Sequence, residues 1–319
     1  MANQYCIMLF LLISSLLSTI LPAASLCPNQ ENIVPCICKD LGDGPMMMCS
    51  NLTSAEELIS PIKSTEFFKM FSLVIINSAL LYIPSNLFVK THFERLRFAN
   101  SQIMSLSDGD LAFVGLEDIL EEIRASDARY ITQWDWSQLK NLRKLDLIDI
   151  VDISMYSIDQ EMPPLKSLTS LGISKAEISF VHPTAFSKLE NLMQLSLVNN
   201  EITEISRAML PDPASKFVMI DLSDNKLESL PDDMFTNMPN LKDVEINNNR
   251  LMTLNQETFQ WLFENLQSFM MTGNEIRCDC RLKWLVETRK PTYFKGECSL
   301  PDYMKGVSLE NVNHKVLVC

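Results

Sequence analysis

Residues 192–205, LMQLSLVNNEITEI, carry apolar side chains at the first, fourth, sixth, eleventh and fourteenth positions and asparagine at the ninth. The same frame recurs along the chain. Its copies begin at Met70, Phe93, Leu120, Leu142, Leu168, Leu192, Phe217, Leu241 and Leu266. Successive starts lie 22 to 27 residues apart. A fixed period of this length is typical of an array of coils in which each unit repeats one supersecondary structure.

The residues within each unit predict how a coil is built. The apolar-x-apolar centre predicts a short strand whose alternate side chains point inward. An aromatic residue follows 18 positions after the start in four copies, at Phe88, Phe186, Phe235 and Phe259. One coil alone leaves an apolar flank uncovered, so neighbouring coils must stack. We therefore predict an α/β leucine-rich repeat solenoid, a horseshoe of about nine repeats, spanning residues 70–277.

The ninth position of the frame distinguishes the two halves of the array. Its asparagines are Asn200, Asn225, Asn249 and Asn274, whereas the earlier copies offer Ser78, Ser101, Ala128, Ile150 and Ala176. An asparagine amide can both donate to and accept from the backbone of adjacent coils. The pattern predicts a regular C-terminal half and an irregular stretch at about residues 116–165.

The first 25 residues indicate export. They carry no charged side chain, contain an apolar run over residues 7–21, and end in small residues. We predict a signal peptide over residues 1–25, cleaved after Ser25, with a buried helix or a signal anchor as alternatives. No later run reaches the roughly 18 apolar residues of a membrane span. The chain is expected to be secreted and extracellular, and its net charge of −13 argues against nucleic-acid binding.

Eight further cysteines fall into two clusters, one near each end. They are Cys27, Cys36, Cys38 and Cys49, then Cys278, Cys280, Cys298 and Cys319. The Cys278-x-Cys280 pair could hold a metal, cycle electrons or form disulfides. Zinc sites and redox pairs favour cysteines with at least two residues between them, and only one residue separates Cys278 from Cys280. An even count of cysteines in an oxidising compartment indicates disulfides. We expect disulfides and no metal.

Both cysteine clusters resemble the caps of extracellular leucine-rich repeat proteins. Residues 278–290, CDCRLKWLVETRK, resemble the C-terminal cap, and the segment from CPNQENIVPCICKD at residue 27 resembles the N-terminal cap. The resemblance implies caps at residues 26–69 and 278–319, with Trp284 covering the last repeat. It also implies four disulfides, Cys27–Cys38, Cys36–Cys49, Cys278–Cys298 and Cys280–Cys319.

A narrower resemblance involves the first cap and the segment behind it. The stretch PCICKD…MCSNLTSAEEL, followed by irregular repeats and IPSNLF, resembles a family of secreted arthropod leucine-rich repeat proteins. That family includes the non-catalytic subunit of the Oplophorus luciferase. The resemblance implies a non-enzymatic binding or companion role and does not imply luminescence.

The sequence contains no recognisable catalytic motif. His92, His182 and His314 fall in unrelated phases of the repeat, and no nucleophile, phosphate-loop or zinc-helix motif occurs. We expect neither enzymatic activity nor a cofactor. The sequon Asn51-Leu52-Thr53 predicts N-glycosylation at Asn51.

The variable positions around the strands predict a binding face on the inner side of the horseshoe. The residues assigned to it are Arg95, Arg97, Glu122, Arg124, Arg143, Asp146, Gln194, Asp221, Asp243, Glu245 and Asn247. Each residue alone is equally compatible with a solvated face. As a set they favour binding of an extracellular protein that is basic or amphipathic, such as a receptor or a secreted enzyme. A stabilising subunit of a secreted enzyme is the alternative function, and the sequence does not indicate an oligomeric state.

Overall fold

A computed structural model describes residues 26–128 and 134–319, so the predicted signal peptide lies outside the described residues. Its strands are β1 (Ile37–Asp40), β2 (Pro45–Ser50), β3 (Met70–Ile76), β4 (Ala79–Tyr82), β5 (Phe93–Ala99), β6 (Gln102–Ser105), β7 (Glu122–Ser126), β8 (Leu147–Val151), β9 (Ser157–Ile158), β10 (Ser170–Ser174), β11 (Phe180–Val181), β12 (Gln194–Ser196), β13 (Met219–Asp221), β14 (Asp243–Glu245), β15 (Ser268–Met270) and β16 (Tyr293–Lys295). Its α-helices are α1 (Glu56–Lys63), α2 (Gln256–Phe263) and α3 (Lys283–Glu287).

One curved sheet of twelve strands runs the length of the solenoid. Its order is β1-β2-β3-β5-β7-β8-β10-β12-β13-β14-β15-β16, and every neighbouring pair after the β1–β2 hairpin is parallel. The pairs β4–β6 and β9–β11 form two small sheets on the return side of their coils. Parallel strands one coil apart are what a period of about 24 residues predicts, and the repeat fold is confirmed.

The fourth position of the frame forms a continuous apolar row in the core. Leu73, Leu96, Ile123, Ile148, Leu171, Leu195, Ile220, Val244, Phe269 and Phe294 are partners in the register of successive strands. Each of them is at most 1 % exposed. The four predicted return-side aromatics are buried too, and Phe235 packs against Phe259 with ring centroids 5.9 Å apart.

The predicted frame of the fourth repeat is wrong by three residues. Ile148 is paired with Ile123 and Leu171, so this coil begins at Leu145 and not at Leu142. Ile153, not Ile150, therefore occupies its ninth position. The frame from Leu142 places Asp152 at the apolar eleventh position, whereas the frame from Leu145 places Met155 there. Pairing with the strands on either side agrees with the second frame.

The ninth-position ladder is present at both ends of the array and interrupted in its middle. Asn225 donates from Nδ2 to the carbonyl oxygens of Leu197 and Leu222, at 2.8 and 3.1 Å, and accepts from the Ile202 N–H. In the N-terminal half, the Ser78 hydroxyl accepts from the Leu52 N–H at 3.0 Å and donates to Ile76. The three middle coils carry Ala128, Ile153 and Ala176 at this position, which have no polar side-chain group.

The strands agree with the expected regularity of the C-terminal half, because β12 to β15 all span the third to fifth positions of their coils. β3 and β5 contain seven residues each and β7 and β8 five each, whereas β12 to β15 contain three each. The ladder asparagines of the C-terminal half bind the carbonyls that follow the strand, as Asn200 binds Leu197 and Val198. Those carbonyls accept hydrogen bonds from the asparagine amide in the turn. Coils with a ladder asparagine therefore have shorter strands.

Both caps extend the sheet and carry the disulfides. β2 and β16 are parallel to the first and last repeat strands. The bridged pairs are Cys27–Cys38, Cys36–Cys49, Cys278–Cys298 and Cys280–Cys319, with Cα–Cα distances of 5.7, 4.1, 5.6 and 5.1 Å. Trp284 packs against Phe263 and donates from its indole N–H to the Leu254 carbonyl at 3.3 Å. The C-terminal cap therefore covers the aromatic end of the core.

Candidate protein-binding surface

The face of the long sheet opposite the core is formed by the third, fifth and seventh positions of the coils. Side chains alternate along each strand, so these positions point away from the buried fourth and sixth. We call this surface the concave face. Eight predicted residues lie on it at third or fifth positions, and they are Arg95, Arg97, Glu122, Arg124, Gln194, Asp221, Asp243 and Glu245. Asn247 follows β14 at the seventh position.

Two predicted residues do not lie on these strands. Arg143 and Asp146 precede β8 because the fourth coil begins three residues later than the sequence suggested. Arg143 is exposed and makes an ion pair with Asp118 in the preceding coil. Asp149, the fifth position of β8, contributes the acidic group of this coil instead.

Three arginines surround one buried carboxylate on β5 and β7. The Glu122 side chain is 9 % exposed, and its Oε1 lies 2.8 Å from Arg97 Nη2 and 3.0 Å from Arg124 Nε. Arg95 Nη1 lies 3.7 Å from Glu122 Oε2. The Arg95 guanidinium also lies 4.3 Å from the centre of the Phe71 ring, a cation–π contact. We call Arg95, Arg97 and Arg124 the arginine platform.

The centre of the concave face is a shallow recess over β10. It has a volume of about 280 Å³ and is lined by Leu147, Asp149, Ser170, Leu171, Gly172, Ser174, Gln194, Leu195, Ser196 and Met219. Gly172 occupies its fifth position, where a Cβ atom would lie 3.1 Å from Asp149 Oδ1. The absence of a side chain at Gly172 therefore keeps the recess open.

Three carboxylates form an acidic cluster on β13 and β14. Asp221 and Glu245 are partners in register, and Asp243 lies two residues before Glu245 on the same face. Burial raises the pKa of Glu245, and the neighbouring charges of Asp221 and Asp243 raise it further. Like charges placed together are costly for folding and are frequent at functional sites.

This pKa shift gives a prediction for Glu245→Gln. A carboxyl whose pKa is raised by folding stabilises the protein at low pH, and that contribution is lost as the pH rises through the folded-state pKa. Glu245→Gln should therefore be more stable than the unmodified chain at neutral pH, by less than about 1 kcal/mol because solvent screens the charges. The advantage should disappear below about pH 4, where the Glu245 carboxyl is protonated in both the folded and the unfolded chain. Thermal unfolding at the two pH values tests it, and equal differences at both would contradict it.

The three histidines lie in separate places on the described part of the chain, and His182 contacts the Thr184 hydroxyl at 3.1 Å. His92 contacts Glu94 and His314 contacts Glu287, each at 3.3 Å, and the two pairs belong to opposite ends of the solenoid. Within residues 26–128 and 134–319 no cluster of three or more His, Cys, Asp or Glu is arranged to bind a metal. No helix in these residues is long and apolar enough to cross a membrane.

The predicted glycosylation site lies on the rim of the sheet. Asn51 directly follows β2, is exposed, and has a φ of 58°. The equivalent eighth positions of later coils also have positive φ and are Asn77, Asn100, Asp127, Asp152, Lys175, Asn199, Asp224 and Asn248. Asn and Asp adopt this left-handed conformation more easily than other side chains. This row was not predicted from the sequence, although Asn or Asp occupies most of its positions.

Comparison with known proteins agrees with this architecture. A family model described as "Leucine rich repeat" matches residues 166–215 and 216–276. The non-catalytic subunit of the Oplophorus-luciferin 2-monooxygenase from Oplophorus gracilirostris is 23 % identical over 295 residues, which cover 82 % of this chain and 79 % of the subunit. The transmembrane protein FLRT2 of Mus musculus is 25 % identical over 212 residues. The aligned region covers 65 % of this chain and 28 % of FLRT2.

Two solved structures share the fold. Human 5T4, the trophoblast glycoprotein, superposes with a TM-score of 0.59 at 16 % identity, covering 92 % of this chain and 99 % of 5T4. A complex of Latrophilin 3, Unc5D and FLRT2 contains a chain with a TM-score of 0.56 at 18 % identity and the same coverage. At these identities the likeness shows the fold alone. The chain folds as a leucine-rich repeat solenoid with disulfide-bonded caps, and it is similar over most of its length to the non-catalytic luciferase subunit.

Proposed function

We propose that this protein is a secreted, non-enzymatic binding protein whose concave face holds an extracellular protein partner. The observation that carries the proposal is the acidic cluster of Asp221, Asp243 and Glu245, in which like charges lie together on one face. No lysine or arginine is described in an ion pair with any of the three. A partner with lysine or arginine side chains would supply the missing counter-charges.

The related proteins support a binding role. The luciferase relative is described as a non-catalytic subunit, and FLRT2 occurs in a solved complex with two other proteins. Leucine-rich repeat arrays present long curved surfaces that suit protein ligands. The disulfide-bonded caps and the predicted signal peptide support an extracellular site of action.

Charge reversal of the acidic cluster tests the proposal. The variant Asp221→Lys with Asp243→Lys and Glu245→Lys should bind the partner at least about tenfold more weakly, because attraction between opposite charges is replaced by repulsion. The partner is first captured from the native secretion with the unmodified chain and identified by crosslinking mass spectrometry. Its affinity for each variant is then measured by biolayer interferometry.

A matched variant controls for the change in net charge. Glu204, Glu228 and Glu264 are exposed and lie outside the strands, so their triple replacement by lysine changes the charge equally without altering the concave face. This control should keep the affinity of the unmodified chain. Equal loss in both variants, or no loss in either, would contradict binding through the acidic cluster.

A second candidate function is that of a stabilising, non-catalytic subunit of a secreted enzyme. The co-linear match to the luciferase subunit over most of both chains favours it. Size-exclusion chromatography of the native secretion should then show the chain in a complex of fixed stoichiometry with one enzyme. Recovery of the chain free of any such enzyme would favour the first candidate.

A further inference from the structure

The N-terminal third of the concave face differs chemically from the acidic cluster. β2 and β3 present Met46, Met48, Val74 and Ile76 to this face, and all four are buried or half-buried. We call these four residues the apolar strip. The arginine platform of β5 and β7 borders it, because Met46, Ser72 and Arg95 are successive partners in register.

The arginine platform is held in place before any ligand arrives. The Glu122 carboxylate makes ion pairs with Arg97 and Arg124, and the Phe71 ring makes a cation–π contact with the Arg95 guanidinium. Arg97 and Arg124 are direct partners in register, so two like charges lie one strand apart. Their repulsion is only partly relieved by Glu122 and by Asp149, which lies 3.3 Å from Arg124 Nη1.

The guanidinium groups keep binding capacity that the protein does not use. Each guanidinium has five N–H donors, more than the described contacts with Glu122 and Asp149 occupy. The side chains of Arg95, Arg97 and Arg124 are 33 to 44 % exposed, so these donors remain accessible. Fixed, fork-shaped donors next to apolar surface suit carboxylates with apolar neighbours.

An unsatisfied hydroxyl lies within the same surface. Ser72 Oγ is buried, and it has no hydrogen-bond partner among the described residues. Met46 and Arg95 flank it in register. A buried polar group without a partner is uncommon in folded proteins, and completion by a bound group is one physical reason for it.

From this arrangement we infer that the arginine platform and the apolar strip together anchor an acidic, apolar segment of the protein partner. Its carboxylates bind the guanidinium groups, and its apolar side chains contact the methionines. The inference rests on the proposed function and adds an orientation. β7 and β13 are four strand spacings apart, which is about 19 Å. The acidic segment of the partner therefore lies at that distance from the basic side chains of the partner that face Asp221 and Glu245.

A synthetic peptide of about ten alternating Leu and Glu residues, long enough to cross several strands, serves as the probe. A Leu–Lys peptide of the same length is its control. With the full secreted chain, fluorescence anisotropy should show the Leu–Glu peptide binding, and Arg97→Gln with Arg124→Gln should weaken it about tenfold or more. Arg250→Gln with Arg289→Gln removes the same charge from exposed positions outside the concave face and should have no effect.

A second measurement locates the probe. In protein carrying ¹³C-methyl methionine, the Leu–Glu peptide should shift the Met48 methyl resonance and leave that of Met252, which is exposed outside the sheet, unchanged. Equal weakening in both arginine variants, or shifts without preference for Met48, would overturn the inference. So would binding of a sulfated heparin fragment at Met48 when the Leu–Glu peptide does not bind.

The two proposals can fail separately. Asp221→Lys with Asp243→Lys and Glu245→Lys should leave binding of the Leu–Glu peptide intact, since these residues lie at the other end of the face. If that variant still binds the native partner but the arginine variant does not bind the peptide, the acidic-cluster proposal fails and the anchor stands. If the acidic-cluster variant loses the native partner and the arginine variant still binds the peptide, only the anchor proposal fails.

Discussion

Asn225→Ala is expected to lower the free energy of unfolding by about 3 kcal/mol. The Asn225 amide donates to Leu197, Leu222 and Ser223 and accepts from the Ile202 N–H. Alanine would leave the Ile202 N–H buried without an acceptor, and it would remove three donor bonds. Chemical denaturation followed by circular dichroism measures the loss.

Asn225→Asp separates hydrogen bonding from packing. The aspartate keeps the acceptor for Ile202, but its second oxygen would face the three carbonyls, so we expect a loss at neutral pH at least as large as that of alanine. Its pKa would be raised by folding, and the variant should regain stability as the pH falls. Asn240→Ala, which removes one exposed bond to Ser215, is the control and should cost less than about 1 kcal/mol. Equal losses in Asn225→Ala and Asn240→Ala would contradict the ladder's role.

Removal of the Cys278–Cys298 bridge is the second large effect. Cys278→Ser with Cys298→Ser opens a loop of 20 residues, which corresponds to about 3 kcal/mol in the chain-entropy account. Both cysteines are 1 % exposed, so two buried hydroxyls add to the loss. Thermal unfolding and proteolysis at the C-terminal cap should both show it, because the bridge closes the loop that contains Trp284 and Phe294.

The bridge Cys27–Cys38 of the N-terminal cap is the comparison. Cys27→Ser with Cys38→Ser opens 11 residues, and both cysteines are half-buried. The expected loss is smaller than for the C-terminal bridge. A loss as large as that of the Cys278 and Cys298 variant would show that loop length and burial do not decide the contribution of these bridges.

The sequence predicted the repeat array because its signal is local. Apolar positions such as Leu195 and Leu197 repeat with a fixed period, and each copy supports the others. The fourth coil failed because the frames from Leu142 and Leu145 both place apolar residues at the fourth, sixth and ninth positions, and neither places asparagine at the ninth. Asp152 at the eleventh position already counts against the Leu142 start, and pairing with the neighbouring strands agrees with Leu145.

The candidate site was predictable only in part. The strand positions of Asp221 and Glu245 follow from the period, since the frame in their coils is unambiguous. The burial of Glu122 beneath Arg97 depends on a side chain 25 residues away and leaves no mark in its own coil. The contribution of Met46 and Met48 was missed for a different reason, because β2 belongs to a cap that lacks the repeat frame.

The interrupted ladder has a mechanical consequence. Ala128, Ile153 and Ala176 leave three consecutive junctions between coils without a polar ninth-position side chain, and the recess over Gly172 lies within the same region. Coils with fewer cross-links resist bending least. The horseshoe should therefore bend most readily between β5 and β10, a region that includes Arg124 of the arginine platform and precedes the acidic cluster on β13 and β14. Small changes in curvature there would alter the distance between the arginine platform and the acidic cluster. The concave face could then fit partners of different lengths.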